Sequence, residues 1–354
     1  MSGGAGIFDP KLQLVSTKLR PPLLRPSLVE RPRLLRGLDA AARGKLSLVS
    51  AAAGFGKTTL LLQWRERLRR GGIAVGWLNI DADDNDVGRF LSHLAGALSG
   101  ADRALGEKAL ALLRSSPVLP VDAALTTLIN EIADLGRRVV LILDDYHLIK
   151  SARVHQALET LIAYAPPHLH LALASRSVPP LAAARLRLQG LMVDLRVADL
   201  RFSLEETTAF LNESHALDLS DTDIIRLQHR TEGWVAGLQL ASISLDRRVE
   251  RTRFIQNFSG TDRDITDYLA SDVLMRQPQA LRDFLLKTAV LERMSADLCD
   301  HVTGLHNSAD TLARIERGNL FLVALDEDRR WFRYHHLFAD FLRSQLRRRG
   351  PELE

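Results

Sequence analysis

Two short clusters carry the chemistry of this 354-residue chain. The first is Leu-Ser-Leu-Val-Ser-Ala-Ala-Ala-Gly-Phe-Gly-Lys-Thr-Thr, residues 46–59, in which an apolar segment runs into a tight loop ending Gly56-Lys57-Thr58. Such a loop turns the backbone N–H groups of Ala53, Gly54, Phe55 and Gly56 into a concavity at the start of a helix, which suits the phosphate chain of a nucleotide. Lys57 then reaches the terminal phosphates, the Thr58 hydroxyl is placed to ligate Mg2+, and Thr59 shares the same first helical turn. The pattern G-x-x-x-x-G-K-[ST] opens here on Ala51 rather than Gly, a small departure, because Gly54 and Gly56 stand where positive φ or close approach is most needed. A plain surface turn is the alternative, but the strand before and the amphipathic helix after (Leu60, Leu61, Leu62, Trp64, Leu68) give the motif its required context.

The second cluster is Val139-Val-Leu-Ile-Leu-Asp144-Asp145, an apolar run that ejects two carboxylates at its end. This is a Walker B pattern: Asp144 would hold Mg2+, directly or through water, and Asp145 would orient or deprotonate an attacking water. Adjacent residues leave a strand on opposite sides, so the two roles are compatible. A third apolar run ends in Ser175-Arg176, which sets a cation beside the expected γ-phosphate; a solvated surface arginine is the other reading. Leu28-Val-Glu-Arg31-Pro-Arg33 precedes the first helix, where Arg31 could close over the nucleotide base.

The elements that must position these groups alternate. Strands are expected at Leu46–Ser50, Ala74–Asn79, Val139–Leu143 and Leu169–Ala174, and helices at Lys57–Arg70, Val87–Leu98, Glu107–Leu113, Val121–Leu135 and Ser151–Ala163. That βαβ alternation implies an α/β doubly wound parallel sheet with its ligand at the carboxyl ends of the strands. Beyond Arg201 the pattern turns helical: a capping box at Ser203-Leu-Glu-Glu206 opens a helix to about Asn212, followed by Asp221–Arg230, Val235–Leu245, Ile265–Met275 and Gln279–Thr288. Short strands at Leu320–Leu325 and Trp331–Tyr334 flank a charged turn before a last helix, His336–Arg348, a plan that resembles a winged helix. The expected division is an N-terminal arm 1–30, a P-loop domain 31–200, a helical domain 201–277 and a winged-helix domain 278–354.

Composition bounds the class. A 46% apolar fraction supports packed interiors, and the lone Cys299 excludes an internal disulfide framework. No apolar run reaches the roughly 20 residues of a membrane span, and Met1–Gly6 lacks the plan of a signal peptide, so a cytoplasmic protein with no membrane contact is expected. A net charge of +4 says little about nucleic acid.

Several segments together carry a family resemblance: Thr17-Lys-Leu-Arg-Pro-Pro22, Leu28–Leu35, Ala51–Thr59, Trp77-Leu-Asn-Ile-Asp81 with the acidic run Asp83-Asp-Asn-Asp86, Leu143–His147, Ala174-Ser-Arg176, Glu232-Gly-Trp-Val-Ala-Gly-Leu-Gln239 and Phe332-Arg-Tyr-His-His-Leu-Phe338. The chain resembles, from about Thr17 to Arg348, the N-terminal portion of MalT-like transcription regulators. These are large ATP-binding LuxR-family members within the STAND class of signal-transduction P-loop ATPases. The Gly-Trp-Val-Ala-Gly-Leu and Tyr-His-His-Leu-Phe segments are the more specific part of the match.

The resemblance implies an AAA-like nucleotide-binding domain, a helical domain and a winged helix that close around ADP at rest. Exchange for ATP, with a signal, then opens the arrangement and permits self-association, and slow hydrolysis resets it. It implies Lys57 and Thr58 as the Walker A pair, Asp144 and Asp145 as the Walker B acids, Arg176 as a sensor arginine, and His335 as a winged-helix ligand of the ADP β-phosphate. His336 is the alternative there, the adjacency of the two favouring one inward and one outward ring. Gly233-Trp234-Val235 stands where many STAND proteins have Gly-x-Pro against the adenine, leaving Val235 to line that pocket, and Glu30 stands before Arg31 where relatives often have glycine. Family members continue into an inducer-binding sensor and a DNA-binding helix-turn-helix. The expectation is therefore a fragment of a longer regulator, with Leu353-Glu354 a terminal scar, that meets inducer and promoter DNA through absent domains. Two other readings stay open: a faster AAA-like remodelling ATPase, and a winged-helix DNA-binding module using Arg343, Arg347, Arg348 and Arg349.

Overall fold

The computed structural model describes residues 14–23, 28–115, 119–246 and 250–348. Met1–Gly6, Arg349 and Leu353-Glu354 lie outside the described residues. The chain divides into two compact units, the first containing the described residues of Glu30–Ser50 and Lys57–Arg196, the second Ala51–Gly56 and the described residues from Val197 onward.

The first unit is built on a five-stranded sheet of β1 (Leu46–Ser50), β2 (Ala74–Asn79), β3 (Val139–Asp144), β4 (Leu169–Ser175) and β5 (Met192–Leu195), in the order β2-β3-β4-β1-β5. Every neighbouring pair is parallel. Parallel neighbours need long crossovers, and helices Lys57–Arg70, Val87–Ala101, Val121–Leu135 and Ala152–Tyr164 supply them. The inner strands β1, β3 and β4 are buried along their whole length, as expected for apolar strands covered on both faces. At Gly76 of β2, an added Cβ would lie 2.7 Å from the Ala97 carbonyl, so the helix Val87–Ala101 owes its close seat to the missing side chain.

The edge strand β5 was not expected from the sequence. Its four residues Met-Val-Asp-Leu form no apolar run, and only Leu195 is buried.

The acidic run after β2 is structural in large part. Asp84 is fully buried and takes His93 Nδ1 at 2.8 Å together with the Lys18 ammonium, while Asp81 also pairs with Lys18 at 3.0 Å. These partners hold the Asp84 carboxyl below its ordinary range against the opposing effect of burial. Asp86 caps the helix Val87–Ala101 through the amide of Arg89.

The second unit is helical up to a small hairpin. The Ser203 capping box forms, but the helix Leu204–Thr208 passes into a wider turn at Ala209–Ser214, and Arg263–Tyr268 does the same at Leu269–Leu274, where one continuous helix was expected in each case. Helices Asp221–Thr231, Val235–Asp246 and Gln279–Thr288 follow expectation closely. Among the described residues of this unit, the helices Val197–Leu200, Arg251–Asn257, Ala296–Thr303 and Ser308–Arg317 were not read from the sequence. The hairpin pairs β6 (Leu322–Ala324) with β7 (Phe332–Tyr334), and the final helix His336–Arg348 buries Leu337, Phe338, Phe341, Leu342 and Leu346.

Candidate functional site

In the sheet register Ser50 pairs with Ser175, Leu143 with Leu173, and Asn79 with Asp144, so β1, β3 and β4 end together at one edge. Because β4 lies between β1 and β3, the segment carrying Arg176 leaves the sheet between the strand that leads into the Gly-containing loop and the strand that bears the two acids. Chain order alone could not show this; strand order does.

In the first unit Lys57, Thr58, Asp144, Asp145 and Arg176 are brought together. The Thr58 hydroxyl hydrogen-bonds the Asp144 carboxylate, which also accepts the Asp145 amide at 3.0 Å. Burial and the neighbouring Asp145 charge nevertheless push the Asp144 carboxyl up to about 6. Lys57 is buried, and burial together with Arg176 brings its ammonium down to about 8, with Asp144 and Asp145 opposing.

Asp145 sits at φ 58°, ψ 33°, a left-handed conformation uncommon outside glycine and asparagine-like residues, and strain of this kind gathers at functional sites. A buried carboxylate of raised pKa bonded to a threonine hydroxyl is a hard oxygen set that a small divalent cation would compensate, so these residues fit Mg2+. Thr59 follows in the first turn of Lys57–Arg70, and Arg31 is buried at the N-cap of the helix Pro32–Ala41.

In the second unit the loop Ala51–Gly56 is fastened to the helical region. The Trp234 indole N–H donates to the Ala53 carbonyl at 3.0 Å, and the Ala236 amide donates to the Gly54 carbonyl at 2.9 Å. Gly54 has φ 80°; a Cβ there would stand 2.5 Å from Ala236 Cβ and 2.8 Å from the indole nitrogen. The Phe55 ring lies 6.1 Å from that of Phe321, and Val235 is the nearest side chain to Gly56.

The two histidines divide as their adjacency suggests. His335 is 2% exposed, flanked by the rings of Trp234 and Phe321, with Nε2 at 2.8 Å from the Thr231 carbonyl. A carbonyl only accepts, so Nε2 carries the proton and Nδ1 presents a lone pair; that Nδ1 has no hydrogen-bond partner among the described residues. Burial, opposed by Glu232 and by the Thr231 carbonyl, brings the ring down to about 4. His336 is half exposed, with Nδ1 3.5 Å from Glu232.

Sequence reasoning did not single out Glu232 or Arg333. Glu232, itself at φ 49°, takes the Arg333 guanidinium through two bonds of 2.7 and 3.0 Å, Arg201 at 3.1 Å and the His336 amide at 3.1 Å. The Arg333 hydrogen bonds do most to bring its carboxyl down to about 2, against the opposing effect of burial. The four groups come from positions as much as 135 residues apart; Glu232, Arg333 and His336 lie within two quoted motifs, and Arg201 lies in none.

Residues 270–354 match the family described as the MalT winged helix domain. The chain is 37% identical over 349 residues to the serine/threonine-protein kinase PknK of Mycobacterium tuberculosis, covering 99% of this chain and 31% of that protein. It is 33% identical over 334 residues to the HTH-type transcriptional regulator MalT of Serratia proteamaculans, covering 94% of this chain and 36% of that one. Among solved structures, a signal transduction ATPase with numerous domains from Pyrococcus horikoshii, carrying a tetratricopeptide repeat sensor, aligns over 92% of this chain and 44% of its own at 14% identity, with a TM-score of 0.47. The chain spans about a third of the length of the curated relatives it matches. No helix among the described residues is long and apolar enough to cross a membrane. With its five-stranded parallel sheet, its helical region and its MalT-type winged helix, the chain is a MalT-like region.

Proposed function

We propose that this chain is the adenine-nucleotide switch of a longer MalT-like regulator, closed around ADP at rest, opened and made to self-associate by ATP, and reset by slow hydrolysis. The observation that carries the reading is the meeting of Lys57, Thr58, Asp144, Asp145 and Arg176 at the carboxyl edge of the sheet. In such a switch residues 1–30 would be an arm, 31–200 the nucleotide domain, 201–277 the helical domain and 278–354 the winged helix. Inducer and promoter DNA are assigned to other parts of such a regulator.

In this reading the amides of Ala53, Gly54, Phe55 and Gly56 cradle the phosphates, with Lys57 and Arg176 supplying positive charge. Thr59 shares the first helical turn after the loop, and Arg31 and Val235 approach the base. Mg2+, held by Thr58 and Asp144, would neutralise phosphate charge. Asp145 orients the water that attacks, and its neighbour Lys57 stays protonated at neutral pH because its value of about 8 lies above 7. Steady-state phosphate release should be slow, and Asp145→Asn should reduce it by about 100-fold, the scale of a lost acid–base group, with ATP affinity retained. Rapid turnover in the unaltered chain would favour a remodelling ATPase instead.

His335 gives a sharper test of the resting state. With Nε2–H committed to the Thr231 carbonyl, Nδ1 can donate to a phosphate oxygen only if the ring gains a proton. ADP binding should therefore take up a proton near pH 7, which calorimetry in buffers of different ionisation enthalpy measures directly. His335→Ala should abolish that uptake and speed ADP release. Proton-neutral binding by the unaltered chain would remove His335 from the phosphate site.

A further inference from the structure

The loop that would hold phosphate is itself held from behind. Trp234 is completely buried, and its indole N–H and the Ala236 amide reach successive carbonyls of the loop, those of Ala53 and Gly54. No peptide bond among the described residues is cis. In a trans peptide the carbonyl of one residue and the N–H of the next point in opposite directions. Fixing the Ala53 carbonyl on the indole thus turns the Gly54 N–H away from Trp234, and fixing the Gly54 carbonyl on Ala236 does the same for the Phe55 N–H.

We infer that Trp234 and Ala236 are positioning residues, a clamp on two carbonyls that presets two adjacent N–H groups for an anionic phosphate. The inference deepens the nucleotide-switch reading and rests on it. Gly54 serves the clamp as well as the turn: its φ of 80° is one requirement, and the 2.5 and 2.8 Å that a Cβ would leave to Ala236 and the indole nitrogen is the other. Glycine at this position was expected for positive φ or for close phosphate approach; the φ is positive, and the close approach the structure contains is to the clamp. The arrangement is also polarising. An N–H that binds phosphate makes the carbonyl of the same peptide a stronger acceptor, so occupancy of the loop is transmitted to the indole and to the first turn of the helix Val235–Asp246.

Trp234→Phe keeps the ring and deletes one donor, leaving the Ala53 carbonyl buried without it. Ala236→Pro deletes the other donor without breaking an intrahelical bond, and its ring, standing where the N–H met the Gly54 carbonyl, pushes that carbonyl off the clamp. Binding of ADP with Mg2+ is measured by calorimetry for both variants, for the unaltered chain and for Lys57→Ala, with circular dichroism and thermal melting alongside. Each clamp variant should weaken ADP by about tenfold while remaining folded. In nitrogen-edited NMR of the unaltered chain, the indole resonance assigned to Trp234 by its loss in Trp234→Phe should move downfield as ADP is added, a response that a tryptophan serving only as packing would not give.

ADP affinity unchanged in both folded variants, with a stationary indole resonance, overturns the clamp. If Trp234→Phe does not fold, ADP affinity in Ala236→Pro decides. If the unaltered chain and Lys57→Ala are alike in failing to bind ADP, the nucleotide reading falls first, which separates its failure from that of the clamp.

Discussion

Lys57→Ala will bind ADP at least about 100-fold more weakly than the unaltered chain, with no matching loss of thermal stability. The first half follows from chemistry: an ammonium desolvated before the ligand arrives makes charge-assisted hydrogen bonds to phosphate that water cannot replace, and two such bonds reach that magnitude. The second half follows from the free protein. Lys57 is 8% exposed, and burial and Arg176 bring its ammonium down to about 8, so below that pH the fold holds a cation it would rather not hold. Sign and window agree: the unfolded chain keeps its lysine protonated up to its ordinary value of 10.5, so at pH 7 the charged Lys57 counts against the fold, and that disadvantage fades only as pH rises above about 8. Removing the ammonium removes the disadvantage. Calorimetry and melting on one preparation check both parts; a variant that melts much lower and binds ADP normally would mean that Lys57 is structural.

Glu232→Ala should destabilise the second unit by about 3 kcal/mol, read from the midpoint of denaturant unfolding. The Glu232 side chain is 7% exposed, whereas its partners Arg333 and Arg201 are 24% and 31% exposed and can recover some hydration when it is lost. That places the effect at the lower end of the range for breaking a buried pair. Proton linkage gives the same order: a carboxyl brought from 4.5 to about 2 contributes about 3 kcal/mol at neutral pH. Because the folded value is depressed, this stability is complete above pH 4.5 and is lost as pH falls towards 2. The unaltered chain should weaken over that window more steeply than Glu232→Ala, and parallel acid profiles would show that the carboxylate is not the source. The same substitution frees the amide of His336, one residue from His335, so faster ADP release should accompany the loss of stability.

The sequence made the local parts of this molecule legible and left the long-range parts unread. Leu46–Ser50, Lys57–Arg70 and Val121–Leu135 were recovered to the residue because each couples a strong periodicity to a clear stop, such as Gly136 in the left-handed conformation after Leu135. Strand β5 escaped because an edge strand with one buried residue has no apolar run to announce it. Helices Ala296–Thr303 and Arg251–Asn257 bury only two residues each, too few for a periodic signal.

The candidate site divides in the same way. Lys57, Thr58, Asp144 and Asp145 belong to motifs whose chemistry is written in adjacent positions. The indole of Trp234 on the Ala53 carbonyl spans 181 residues and the Glu232–Arg333 pair 101, and no spacing rule reaches so far. The acidic run at Asp81–Asp86 shows the opposite hazard. It was notable in sequence, yet the structure gives Asp84 to Lys18 and His93, Asp81 to Lys18 and Asp86 to a helix cap.

The most direct test of the central claim is a crystal structure of the chain grown with ADP and Mg2+. The account predicts phosphate density within hydrogen-bond distance of the amides of Gly54 and Phe55 and of the Lys57 ammonium, with the Trp234 indole still on the Ala53 carbonyl. ADP bound elsewhere, with Ala53–Gly56 facing only water, would contradict it.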